Sequence, residues 1–347
     1  MNILIVKLSA IGDVIHTLPS LAALRRLYPG AHITWIVEEA AADLIRNHPY
    51  LDEVLISRRK SWSKDFRSGK FKQLFKEISS FIKTLWHRHY DLVIDFHGLF
   101  KSSIIVFLSR GERKLGYDSL QELSGLFLNE KIPEDMNKHA VDRYLDFPRY
   151  LGAKTDDAQF VLPSDNEAEK NVQILLLEHN LESKNFIAIN PVALWETKLW
   201  SDEKFARLAD LISDKLKMKA VFTGSEREPL GKIILLMRTE GINLGGKTTL
   251  PELACLYKEA RMVISTDSGP MHLAAAVGTP VIALFGPTDP ARTGPYGSGH
   301  ALIRTELTCS PCFLKKCPTK KCMEDISPDQ VFAAVEKINK GVINAFQ

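Results

Sequence analysis

The pattern that most constrains this chain is an alternation of short, largely apolar runs with longer stretches of helical periodicity. The first series of runs is Ile3 to Val6, Ile33 to Val37, Glu53 to Ile56 and Leu92 to Phe96. Apolar runs this short suit strands buried on both faces, as in parallel sheets covered by helices. A second series follows with Phe186 to Ile189, Ala220 to Phe222, Met262 to Ser265 and Val281 to Phe285, separated by helix-like stretches such as Lys204 to Leu216 and Pro251 to Ala260. Two such series predict an α/β protein with two Rossmann-like doubly wound domains facing across a cleft. Between them, from Thr155 to Lys170, the chain turns polar and acidic around Pro163, Ser164, Asp165 and Asn166. The expected division is therefore 1–165, 166–327 and a last helical stretch, 328–347.

The 347 residues suffice for two such cores, and 45 Lys and Arg against 42 Asp and Glu leave a net charge of only +3. Composition thus gives no reason to expect general nucleic-acid binding, and attraction for anions must come from local clusters. The apolar run at the N-terminus is too short for a signal-peptide core, and none has membrane-spanning length, so the expected location is the cytoplasm. Four of the five cysteines fall close together as Cys309, Cys312, Cys317 and Cys322. In a reducing compartment they read as ligands of a structural zinc or as free thiols, and their spacing is not that of a regular zinc ribbon.

In doubly wound sheets, ligands bind beyond the carboxyl ends of the strands. The loop after Val6 holds Gly12 and Asp13 but lacks the three glycines of a dinucleotide fingerprint. Asp13 there is either a helix cap or a general base for a hydroxyl. The loop after Ser265 runs Thr266, Asp267, Ser268, Gly269, Pro270, Met271, His272 into a helical stretch. Such a strand, small-residue loop and helix would aim amide groups and a helix dipole at a phosphate, with His272 as a donor; a plain capped helix start is the other reading. Lys198 could reach a diphosphate, and Glu228 could bind ribose hydroxyls, with Glu226 competing for that role. Gly224 to Lys232 is not a Walker loop, because its spacing is wrong and no Ser or Thr follows the lysine.

From Arg58 to Lys76 the bases Arg58, Arg59, Lys60, Lys64, Arg67, Lys70, Lys72 and Lys76 face one acid, Asp65, with Trp62 and Phe66 between them. That patch suits anionic acceptors at a membrane surface; no recognisable RNA-binding module accompanies it. Phe71, Leu74, Phe75, Ile78, Ile82 and Leu85 recur at helical spacing, the expected mark of a helix packed on its own core.

Taken together, Ile5 to Pro19, the strand end Trp35 to Glu39, Asp267 to His272 and Phe285 to Pro290 resemble glycosyltransferase family 9, the ADP-heptose:lipopolysaccharide heptosyltransferases. Arg58 to Trp62, Asp95 to Lys101 and His139 to Arg143 are similar to the heptosyltransferase I branch, whereas the cysteine-rich tail looks more like heptosyltransferase II. The resemblance implies a GT-B fold with the acceptor on the N-terminal domain, the nucleotide-sugar on the C-terminal one, and a final helix crossing back to the first. It makes Asp13 the general base. Lys198, Glu228, Asp267, Ser268, Gly269, His272, Ala193, Leu194 and Thr288 become donor-side residues, and Arg58, Arg59, Lys60, Lys101 and Arg143 acceptor-side residues.

The reaction so implied is an inverting transfer of heptose from ADP-heptose to the Kdo-lipid A inner core at the inner face of the cytoplasmic membrane. It would need no metal, since no Asp-x-Asp motif occurs and lysine, histidine and a helix end would neutralise the diphosphate. The alternatives are a family 9 enzyme adding a later heptose or using another nucleotide-sugar, and a non-catalytic nucleotide-sugar or glycan binding protein. An NAD-dependent oxidoreductase stands further off for want of its fingerprint.

Overall fold

The computed structural model describes residues 1–119, 121–225 and 230–342; the side chains of residues 121–123 are not described. The chain divides into two compact units, Met1–Ser164 and Asp165–Gln347.

The first unit is built on a parallel sheet of six strands: β1 (Asn2–Val6), β2 (His32–Glu38), β3 (Glu53–Ser57), β4 (Tyr90–Asp95), β5 (Gly111–Tyr117) and β6 (Glu130–Ile132). Their order is β3-β2-β1-β4-β5-β6. The central strands carry the apolar runs seen in the sequence: Ile3, Leu4, Ile5 and Val6 are fully buried and pair in register with Ile33 to Ile36 on one side and Leu92 to Asp95 on the other. Helix Ile11–Leu27 is buried along most of its length and packs on helix Ala140–Tyr150.

The second unit repeats the design with β7 (Phe186–Asn190), β8 (Lys219–Phe222), β9 (Gly241–Asn243), β10 (Met262–Thr266), β11 (Val281–Phe285) and β12 (Ala301–Arg304), in the order β12-β11-β10-β7-β8-β9. Four strands, β5, β6, β9 and β12, were not expected from the sequence. They lie toward the sheet margins and are short or polar, and the longest apolar run among them is Ala301 to Ile303 in β12.

The last described helix, Pro328–Asn339, starts at a Ser327 and Gln330 capping box. Its Val331, Ala334, Val335 and Ile338 lie in the core of the second unit, and it packs on helix Asp202–Leu216. Residues 343–347, the end of the expected last helical stretch, lie outside the described residues. No helix of the described residues is long and apolar enough to cross a membrane.

The basic segment divides into helix Arg59–Arg67, with no buried residue, and helix Phe71–Trp86, in which only Leu85 is buried. The expectation of a stripe packed on the core holds for Leu85, with Phe81 outside the stripe packed beside it, and fails for its beginning, where Phe71 is 58% and Phe75 76% exposed. Those two rings precede the point at which the helix meets the sheet.

Buried charge is tied down locally. Asp210, buried on helix Asp202–Leu216, accepts from the amides of Arg238 and Thr239 (both 2.9 Å) and from the Thr239 hydroxyl (2.8 Å). Burial by itself raises a carboxyl pKa, but these donors outweigh it and hold Asp210 below the ordinary value of 3.8. A depressed pKa contributes stability that is present above the unfolded value and lost as pH falls through the folded one. Asp210→Ala should therefore cost about 1–3 kcal/mol at neutral pH, and the gap between variant and wild type in denaturant melts should narrow below pH 3.8. A gap independent of pH would show that the loss comes from packing alone.

Candidate active site

The strand order of each sheet reverses once, between β1 and β4 in the first unit and between β7 and β10 in the second. At such a switch point adjacent loops leave the sheet in opposite directions and open a crevice above the carboxyl ends. The singled-out residues fall at these points: Asp13 after β1 and Lys101 after β4, Lys198 after β7 and Asp267 to His272 after β10.

Asp13 sits in the first turn of helix Ile11–Leu27, and its Oδ2 accepts from the backbone N–H of Ala10 at 3.1 Å. The capping role weighed from the sequence is real. Its other oxygen, Oδ1, accepts from the Tyr144 hydroxyl at 3.5 Å. One carboxylate thus both closes the helix and faces a polar cluster.

That cluster centres on a residue the sequence reading passed over. Lys7, at the end of β1, is 3% exposed, and its Nζ donates to the Tyr144 hydroxyl at 2.6 Å and the Phe96 carbonyl at 3.0 Å. Burial pushes its pKa below the ordinary 10.5, while Asp13 and Asp95 pull it back up. The available signal was a lysine directly after four buried aliphatic residues, a position where a charge is expensive unless paired.

Asp95 ends β4 and is 1% exposed. Its Oδ1 accepts from the amides of His97 and Gly98 (2.9 and 3.1 Å), and its Oδ2 from the Ser102 hydroxyl (2.9 Å). Gly98 adopts φ +62°, which a residue with a Cβ rarely does, so this tight turn depends on glycine. Burial raises the Asp95 pKa, and the three hydrogen bonds and Lys7 only partly offset it. Its neighbour His97 is held down to about 3 by burial and then by the nearby Lys7 and Lys101 ammonium groups, so its imidazole is neutral.

The basic residues are arranged around acids. Lys101 donates to the Ser9 hydroxyl at 2.8 Å and to Glu38 at 3.4 Å, and Arg59 reaches the same Glu38 oxygen at 3.2 Å. Arg58 pairs with Glu39 at 3.1 Å. Lys60 is exposed. Arg143 is buried and held by Glu134 at 2.8 Å, behind Tyr144. Lys101 and Arg59 therefore share Glu38, whereas Arg143 contributes its field to Lys7 and Tyr144 and not a free guanidinium.

In the second unit the Asp267 carboxylate is the hub. Its Oδ2 lies 2.6 Å from Lys198 Nζ and accepts from the Thr288 hydroxyl at 2.6 Å. Ser268 precedes helix Gly269–Ala276 without a side-chain cap, and His272 is buried on that helix. Thr266 donates to the Val192 carbonyl at 2.7 Å, tying this loop to the one that carries Ala193, the 96%-exposed Leu194 and Lys198. Glu226 and Glu228 lie outside the described residues.

The four clustered cysteines are free, and among the described residues no group of three or more His, Cys, Asp or Glu side chains is placed to hold a metal ion. Cys309, Cys312, Cys317 and Cys322, which the sequence offers as zinc ligands or as free thiols, form no such group. Cys309 is exposed, Cys317 is turned toward Thr319 at 3.7 Å, and Cys322 lies against Gly286, its pKa raised by burial and then by the neighbouring Cys312 and Cys309 thiols.

A family model described as Glycosyltransferase family 9 (heptosyltransferase) matches residues 78–323. Lipopolysaccharide heptosyltransferase 1 of Pseudomonas aeruginosa is 31% identical, the match covering 94% of this chain and 90% of that protein. Among solved structures, a glycosyl transferase family 9 protein from Veillonella parvula has a TM-score of 0.85 at 25% identity, covering 98% of this chain and 97% of its own. The E. coli heptosyltransferase WaaC with ADP has a TM-score of 0.77 at 26% identity, covering 97% of this chain and 100% of its own. The same enzyme has also been solved with ADP-2-deoxy-2-fluoro heptose. The two six-stranded parallel sheets are those of a GT-B fold.

Removing the Tyr144 hydroxyl leaves the Lys7 ammonium with one of its two buried partners. Tyr144→Phe should lower the stability of the first unit by about 1–3 kcal/mol, read as a shift of its urea midpoint. An unchanged midpoint would mean that the Lys7 to Tyr144 bond is not formed in solution.

Proposed function

Because the chain belongs to glycosyltransferase family 9, we propose that it transfers heptose from ADP-heptose to the inner core of lipopolysaccharide. The observation that carries this is the pair of charge clusters at the two switch points, one built around a carboxylate and the other around a lysine. In this reading the first unit holds the acceptor and the second the nucleotide-sugar.

Asp13 Oδ1 takes the proton from an acceptor hydroxyl, and that oxygen attacks the anomeric carbon of the donor with inversion as ADP departs. Lys7 and Tyr144 hold the carboxylate in place and supply a positive field behind it. Lys101, Arg59, Arg58 and Lys60 attract the acidic sugars and phosphates of the acceptor. On the donor side, Lys198 and the amides at the start of helix Gly269–Ala276 offset the charge that develops on the diphosphate, with His272 on the same helix. Asp267 and Thr288 hold Lys198 in position. The ribose-binding role of Glu228 belongs to the same proposal. No metal ion takes part, so transfer should be unaffected by EDTA.

The acceptor is anchored in a bilayer, and the same reading puts the protein on its inner surface. The exposed Phe66, Phe71 and Phe75, interleaved with Arg67, Lys70, Lys72 and Lys76, combine the apolar and cationic contacts that a peripheral protein needs.

Asp13→Ala should reduce turnover by about 10²-fold to 10⁴-fold while ADP affinity is nearly retained, as measured by mass spectrometry of a truncated Kdo-lipid A acceptor and by titration calorimetry. Near-normal turnover would leave Asp13 as a cap only. Replacing Phe66, Phe71 and Phe75 together by serine should abolish sedimentation with vesicles containing anionic phospholipid and leave turnover on a soluble acceptor intact; sedimentation equal to wild type would remove this surface from the proposal.

A further inference from the structure

The cysteine-rich segment, which holds no metal geometry, is fastened instead to both donor-side loops. The Ser310 hydroxyl donates to the Gly286 carbonyl at 2.6 Å, and the amides of Cys312 and Phe313 donate to the Pro287 carbonyl at 3.0 and 2.8 Å. The buried Thr197 hydroxyl donates to the Leu314 carbonyl at 2.7 Å, and Lys320 lies 3.9 Å from Glu196. One stretch of chain is thereby tied to the loop after β11, which bears Thr288, and to the loop after β7, which bears Lys198.

The residue that follows Leu314 is Lys315. Its ammonium lies over the Trp195 ring, 5.3 Å from the centroid, and the Lys198 ammonium lies 4.6 Å from the same centroid. The two lysines differ in what they face. Lys198 is largely buried and neutralised by Asp267 at 2.6 Å, whereas Lys315 is exposed and makes no ion pair among the described residues. Trp195 keeps the two cations beside one rigid ring, and the backbone tie at Leu314 fixes where Lys315 leaves the segment. A diphosphate carries more negative charge than a single lysine already paired with a carboxylate can offset.

We propose that the segment from Ser310 to Lys315 is a strap of the donor site that delivers Lys315 as a second cation to the diphosphate of the nucleotide-sugar. This rests on the donor-site reading of the second unit. The lysine is a binding residue for the leaving group.

The test is calorimetric titration of the full chain with ADP, AMP and adenosine, comparing wild type with Lys315→Ala, Lys315→Arg and Lys198→Ala. Lys315→Ala should weaken ADP about tenfold, in line with loss of one charge-assisted contact, with a smaller loss for AMP and none for adenosine. Lys315→Arg should restore most of the ADP affinity, and the dependence of ADP binding on salt should be shallower in the alanine variant. Because Lys315 is exposed, its variants should melt as wild type does. If Lys315→Ala binds ADP as wild type does while Lys198→Ala does not, the strap proposal is overturned and the donor site stands. If wild type binds ADP no more tightly than adenosine, the donor-site reading itself falls and takes the proposal with it.

Discussion

A central parallel strand covered by helices on both faces has little room for a charge along its buried middle, and this decides where the chemistry of each unit can be. In the first unit, Ile3 to Val6 are fully buried and the next residue is Lys7; in the second, Met262 to Ile264 are fully buried and Asp267 stands just past the strand end. The charge that cannot be accommodated within the sheet is carried at its carboxyl edge. Because both sheets reverse their order at the centre, those edges are open there and the surrounding loops can converge.

The two clusters solve the same electrostatic problem with opposite signs. Lys7 is a buried cation held by a carbonyl and a phenol, with Asp13 and Asp95 raising its pKa against the pull of burial. Asp267 is a buried anion held by a lysine and a threonine. Buried charges of this kind add little net stability, because desolvation consumes most of what pairing returns. Their value is positional. A carboxylate fixed by an amide and a phenol, and a lysine fixed by a carboxylate and an indole, have few rotamers left to lose when a ligand arrives.

The strap extends that logic to a segment whose composition suggested something else. Closely spaced cysteines are a strong prompt for metal, yet spacing along a chain says nothing about convergence in space. Ser310, Cys312 and Phe313 turn their backbone and hydroxyl donors to the carbonyls of Gly286 and Pro287, while Cys309 is exposed and Cys322 packs against the core of the second unit.

The central strands, the division of the chain near Ser164 and the candidate loops were legible in the amino-acid sequence because each depends on local pattern: continuous apolar runs, a polar interval, small residues at a strand end. Asp13 and Lys198 stood out for the same reason, as polar residues just past a strand, while spacing alone favoured a helix cap and a surface lysine and only the family resemblance gave them roles. Strand β5, with Glu112, Arg113 and Lys114, carries no such pattern and forms because a neighbour offers its hydrogen-bonding edge. Likewise Lys7 joining Tyr144, which lies 137 residues away, Glu38 holding both Arg59 and Lys101, and Leu314 meeting Thr197 are long-range contacts. Sequence by itself determined which residues had to be buried and therefore where the chain would turn. Tertiary structure alone decided which charges neutralise one another, since that depends on distances between residues that only the folded sheet brings within a few ångströms.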